Sequence, residues 1–233
     1  MAKVLKVTAI IFLFISLLAG GYIWDILRKI ESTDPLVWER EIQTFRDIDL
    51  DCESANHPVV LVGSSSIALY SGLEDLMQPL SVIKRGFGGA SVSDISYYRS
   101  EIIDKYEPSK IIIYVGAIDI YYHYKGKPDI VAKSVNELLF DVKKNNPTAE
   151  IYYIAVRPSP FDPEVWQDIK QINSAIEKAT KDISGITYVN ANRSVRKKDG
   201  SLMRDIYKFD RTHLNSQGNK LWWSEIKRQI ISY

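Results

Sequence analysis

The segment Val59-Val60-Leu61-Val62-Gly63-Ser64-Ser65-Ser66-Ile67 changes character midway. Its first half is a short run of β-branched residues and Leu, the pattern of a strand buried on both faces. Its second half is a Gly followed by hydroxyl residues, which ends a strand and opens a helix. Four more apolar runs follow at intervals: Ser81 to Ile83, Ile111 to Val115, Ile151 to Val156 and Ile186 to Val189. Between them, residues Ser91 to Lys105, Pro128 to Lys144 and Val165 to Asp182 carry helical periodicity. A last helix is expected from Ser216 to Ile231, with Ser216 as its N-cap. Alternating β and α units predict an α/β fold: a three-layer α/β/α sandwich around about five parallel strands. Ligands of such sheets bind beyond the carboxyl ends of the strands, so those loops are where chemistry is sought.

Each strand end carries a candidate. The first gives Gly63-Ser64-Ser65-Ser66, a turn where a Ser could act as a nucleophile at a helix N-terminus or simply cap the helix. Ile67 stands where the G-x-S-x-G elbow would need its second Gly, so that motif is absent. The second end gives Arg85-Gly86-Phe87-Gly88-Gly89-Ala90, whose glycines either expose N–H groups to a ligand or form a tight turn. The third gives Gly116-Ala117-Ile118-Asp119, followed by Tyr121-Tyr122-His123-Tyr124. Near the C-terminus comes Asp210-Arg211-Thr212-His213, where a carboxylate three residues before a His can hold its ring and tautomer. His57 falls at the wrong end of the first strand, and His123 has only Asp119 as a nearby carboxylate. The residues alone leave open which of Ser64, Ser65 and Ser66 would react.

In this order and spacing the four blocks resemble the SGNH (GDSL-like) hydrolase family, over roughly Pro58 to the C-terminus. The resemblance implies a flavodoxin-like sandwich and a serine esterase or acylhydrolase activity. Aligned with the family's G-D-S order, Ser65 becomes the nucleophile, with Ser64 where the family has Asp. His213 becomes the base and Asp210 its orienting carboxylate. The N–H groups of Ser65 and Gly89 become oxyanion donors. The family's third block, G-x-N-D, supplies a third donor from its Asn. Here that position is Ile118, which cannot donate. One oxyanion donor is typically worth about 10²–10³ in kcat. Two readings therefore stand. One is an ester hydrolase acting through an acyl-enzyme on a small-molecule, glycan or lipid ester. The other is a catalytically impaired domain that binds or scaffolds. The resemblance implies no metal and no organic cofactor.

The chain has 233 residues, with 45% hydrophobic and 25% charged residues and a net charge of +1. That suits one domain with an extension, and gives no field favouring nucleic acid. Cys52 is the only Cys, so no intrachain disulfide forms; flanked by Asp51 and Glu53, it reads as an incidental loop residue. Val7 to Trp24 contains no charge and stands at the lower length limit of a bilayer span. An uncleaved signal anchor is the first reading. A signal peptide cleaved near Ala19-Gly20-Gly21, which would leave the domain secreted, is the second, and a buried helix of a soluble domain the third; an intracellular soluble esterase requires the segment to be cleaved or misread. Lys3 and Lys6 against Arg28 and Lys29 give a slight lean to a cytoplasmic N-terminus, which puts the domain outside the cytoplasm. The expected organisation is an anchor at 1–24, a helical stem at 25–57 and the hydrolase-like domain at 58–233. Trp38, Ile42 and Phe45 recur at helical spacing, so the stem is expected to pack on the domain.

Overall fold

A computed structural model describes residues 20–21, 24–51 and 57–231. The apolar run at 7–24 lies outside them except for Gly20, Gly21 and Trp24, and Cys52 lies outside them too. Among the described residues no helix is long and apolar enough to cross a membrane.

Five parallel strands form the sheet: β1 (Val59–Gly63), β2 (Val82–Gly86), β3 (Lys110–Tyr114), β4 (Glu150–Ile154) and β5 (Ile186–Val189). Their order is β2-β1-β3-β4-β5. Alternate side chains of each strand enter opposite layers. Val62, Ile111, Ile113, Ile151 and Tyr153 face one apolar core, whereas Leu61, Ile112, Tyr152 and Ile154 face the other. The first layer holds α5 (Val92–Ile102), α6 (Pro128–Asn145) and α7 (Trp166–Thr180); the second holds α3 (Ser65–Ala68), α4 (Leu73–Met77) and α8 (Ser216–Ile231). The result is a three-layer α/β sandwich. The strand order doubles back at β1 and β3, which leaves a crevice at their carboxyl ends.

Two local expectations are corrected. β2 runs to Gly86 rather than stopping at Ile83, because Lys84 and Arg85 continue the pairing with β1. The Arg85 guanidinium is buried and bonds the Asp49 carboxylate and the Tyr106 hydroxyl, so a charge can occupy a strand without breaking it. The cap of α8 is Asn215, not Ser216: Asn215 Oδ1 accepts from Gly218 N at 3.0 Å, and Ser216 is already helical.

The stem packs on the sandwich. Residues 24–31 form a helix, α1, and a 3₁₀ turn (Pro35–Trp38), capped by Asp34, leads into α2 (Glu39–Asp51). Trp38 and Ile42 are buried in the same core as α5 and α6. Arg46 forms a forked pair with Glu101 of α5 at 2.6 and 3.0 Å.

Candidate active site

β1 ends in a backbone that only glycine takes easily. Gly63 has φ +151°, and a Cβ there would stand 2.0 Å from the Tyr114 carbonyl oxygen. The close approach lets Ser64 N donate to that carbonyl at 3.2 Å before the chain turns into α3. Ser64 is buried, and Ser65 opens the helix. Of the three adjacent serines, Ser65 carries the hydroxyl that meets His213, with Oγ 2.8 Å from Nε2.

His213 arrives on a loop tied at both ends. Lys208 N donates to the His213 carbonyl at 2.7 Å, and Tyr207 bridges to Leu214. Within the loop the Asp210 carboxylate accepts three bonds. Oδ1 takes the backbone N–H groups of Thr212 and His213, each at 2.9 Å, and Oδ2 faces His213 Nδ1 at 2.8 Å. Partial burial pushes the Asp210 pKa up, but the N–H of His213, its ring and the N–H of Thr212 outweigh that and hold it below its ordinary value. An ionised Asp210 calls for a proton on Nδ1, which leaves Nε2 as the acceptor for the Ser65 O–H. His57 and His123 are engaged elsewhere: His57 Nδ1 meets the Glu107 carbonyl at 2.8 Å, and His123 Nε2 meets the Ile30 carbonyl at 2.7 Å.

The loop after β2 brings Gly89 to the cavity that Ser65 lines. Its φ is +95°, and a Cβ there would come within 2.6 Å of Ile30 and 3.1 Å of Trp38. Among the described residues, neither Ser65 N nor Gly89 N donates to a protein acceptor, so both amides are available to a ligand. Ile118 lines the same cavity and brings no donor. Tyr121, a possible substitute, is engaged by Ser159, whose Oγ and N lie 3.0 and 3.2 Å from its hydroxyl. Asp119, next to Ile118, is buried and accepts from Val92 N at 3.2 Å, which ties the β3 loop to the start of α5. Burial raises its pKa to about 6 against the lowering effects of that N–H and of His123.

These loops surround a cavity of about 660 Å³. Two of its walls were not foreseen from the sequence. One is the stem: Ile26, Lys29, Ile30, Trp38 and Glu41 close the side above Gly89. The periodicity of Trp38 and Ile42 says that the stem packs, but not against which loop. The other is Arg157, just past β4. It is buried, lies over Trp222 at 4.6 Å, and donates from Nη2 to the Thr212 carbonyl at 3.3 Å. An Arg directly after a buried strand, at the functional end of the sheet, was the available signal. Among the described residues no group of three or more His, Cys, Asp or Glu side chains could hold a metal ion.

Comparison with known proteins agrees with this architecture. No curated protein sequence matches the chain. Among solved structures, a GDSL-like lipase from Bacteroides thetaiotaomicron aligns with a TM-score of 0.69 at 18% identity, covering 82% of this chain and 97% of its own. An acetylxylan esterase from Geobacillus stearothermophilus, solved as a catalytic mutant, aligns with a TM-score of 0.61 at 14% identity, covering 76% and 95%. The acetyl xylan esterase AlAXEase aligns with a TM-score of 0.63 at 18% identity, covering 74% and 99%. At these identities the likeness is one of fold. The sequence profile of the GDSL-like Lipase/Acylhydrolase family matches residues 64–221, from the turn after β1 into α8. A match over well more than half of the chain, on this sheet order, means that the protein belongs to the GDSL-like lipase/acylhydrolase family.

Proposed function

We propose that the protein hydrolyses a carboxylic ester through an acyl-enzyme on Ser65. The observation that carries this reading is the continuous chain Asp210–His213–Ser65, with both links at 2.8 Å. His213 Nε2 takes the Ser65 proton as Oγ bonds to the ester carbonyl carbon. The carbonyl oxygen becomes an oxyanion facing the N–H groups of Ser65 and Gly89. The ester C–O bond then breaks, and the alcohol leaves with the proton held by His213. Water, deprotonated by the same ring, cleaves the acyl-enzyme and frees the acid and Ser65. Nothing in this sequence of steps calls on a metal or an organic cofactor.

The substrate class is a second proposal. Acetylxylan esterases among the structural neighbours support an acylated glycan. The apolar side chains of Ile26, Ile30, Leu69, Ile118 and Phe161 on the cavity wall support a lipid ester equally. We also propose, on the uncharged run from Val7 to Trp24, that the chain is tethered to a membrane with its domain outside the cytoplasm. Ile118 favours the competing reading, a domain that keeps the pocket but binds rather than cleaves.

The test is hydrolysis of 4-nitrophenyl acetate by the purified chain. Replacing Ser65 or His213 by Ala is expected to lower kcat by about 10³ or more. Hydrolysis that survives both changes would assign the reaction to another group. No hydrolysis by the unaltered chain would favour the binding module.

A further inference from the structure

Arg157 is a permanent cation that the catalytic steps above do not use. The residue is 5% exposed, and Nε and Nη1 are buried without a hydrogen-bond partner. Its protein partners are the Thr212 carbonyl, at a long 3.3 Å, and the neutral Tyr207 hydroxyl. The faces of Trp222 and Tyr207, 4.6 and 5.9 Å away, orient the guanidinium but carry no net charge to balance it. The carboxylates that share its cavity are committed elsewhere. Asp25 and Glu41 both face Lys29, at 3.6 and 2.9 Å, and Asp210 faces His213. A buried charge without a counter-charge is costly unless something supplies one. Arg157 lines the cavity that holds Ser65 and His213, so a ligand in that cavity is the group positioned to do so.

The side of the cavity it occupies narrows the ligand further. Arg157 follows β4 and reaches the carbonyl of Thr212, the residue before His213, whereas Gly89 follows β2, with β1 and β3 between them in the sheet. His213 is the group that hands its proton to the leaving alcohol. We infer that Arg157 is a specificity-determining residue that binds a carboxylate or phosphate on the alcohol part of the ester, so that the preferred substrate is the ester of an anionic alcohol. This rests on the hydrolase reading above and adds the charge of the substrate to it. A guanidinium suits either oxyanion, because both accept charge-assisted hydrogen bonds from its N–H groups.

A matched pair of acetyl esters tests the inference on the full chain: 3-acetoxybenzoate and its neutral methyl ester. Each kcat/KM is divided by the rate of that ester's uncatalysed hydrolysis. The unaltered protein is expected to prefer the anionic ester by about ten-fold or more, the usual worth of a hydrogen bond to a charged group. In Arg157→Gln and Arg157→Lys that ratio is expected to fall, further for Gln than for Lys. A role confined to holding the Thr212 carbonyl would lower both rates together and leave the ratio unchanged, and that result overturns the inference. So does a ratio near one in the unaltered protein. Binding to Ser65→Ala, read by calorimetry with the same two esters, separates the two claims. Tighter binding of the anionic ester with no hydrolysis by the unaltered chain would sink the hydrolase reading and keep the anion site. Equal binding of both esters would sink the anion site whatever the rates.

Discussion

Ser65 lies far in sequence from Asp210 and His213, yet their geometry needs only local devices. Gly63 lets the chain turn under Tyr114, and the Asp210 carboxylate folds its own loop by taking two backbone N–H groups. The spacing of Asp210 and His213, and the Gly-led serine turn, were visible as residues; choosing Ser65 over its neighbours took the family's block order. Arg157 was not legible as a site residue, and the burial of Asp119 in the third block was not legible either, because burial and missing partners are properties of three-dimensional surroundings. Two predictions belong at this scale. Ile118→Asn is expected to raise kcat about ten-fold or more with little change in KM, since the new donor acts on charge that develops in the transition state. His123 and Tyr121 are engaged by Ile30 and Ser159, which leaves Tyr122, also on the cavity wall, as the substitute donor to exclude: if it already fills the place, Ile118→Asn gains nothing and Tyr122→Phe lowers kcat. Steady-state kinetics decides: an unchanged kcat in both variants would mean that position 118 does not reach the oxyanion. Asp119 predicts a pH effect. Its folded pKa is about 6, above the 3.8 of an ordinary Asp, so the folded state holds a proton that the unfolded state has released. Its contribution therefore favours folding at low pH and is lost as pH rises through about 6. Thermal melts should show Asp119→Asn gaining stability relative to the unaltered protein between pH 4 and pH 8. A constant or falling difference would contradict the assignment.

The strands were legible because β-branched runs bounded by turn residues admit few other readings, as Ile111-Ile112-Ile113 illustrates. β2 was read short because Lys84 and Arg85 look like a break; Asp49 and Tyr106, which make Arg85 acceptable, come from elements distant in sequence. The stem shows the same limit. Its amphipathic face was readable, but not the fact that Trp38 and Ile30 press on Gly89. From that contact, Trp38→Ala is expected to cost about 3–5 kcal/mol in urea unfolding, as large aromatic truncations in cores do. It should also lower esterase kcat in the folded fraction by loosening one oxyanion amide. A stability loss with no change in kcat would restrict the stem to a structural role.

Across the whole molecule, the sheet order puts the ends of β1, β2, β3 and β4 around one cavity, with the Asp210–His213 loop and the stem closing it. The α/β alternation was enough to expect the sandwich, since parallel strands covered on both faces leave little choice of architecture. The tether belongs at this scale as well. If Val7 to Trp24 is an uncleaved anchor, the full chain should stay with the membrane fraction after alkaline extraction, and the same chain lacking residues 1–24 should be recovered folded in solution. Intact full-length protein in the soluble fraction would contradict the anchor.

The central claim is that Ser65 is an activated nucleophile, and a fluorophosphonate probe tests it without knowledge of the substrate. The account predicts stoichiometric labelling of the purified chain, mapped by peptide mass spectrometry to Ser65 and lost in both Ser65→Ala and His213→Ala. Absence of labelling on the folded protein, or labelling mapped to Ser64 or Ser66, would contradict it.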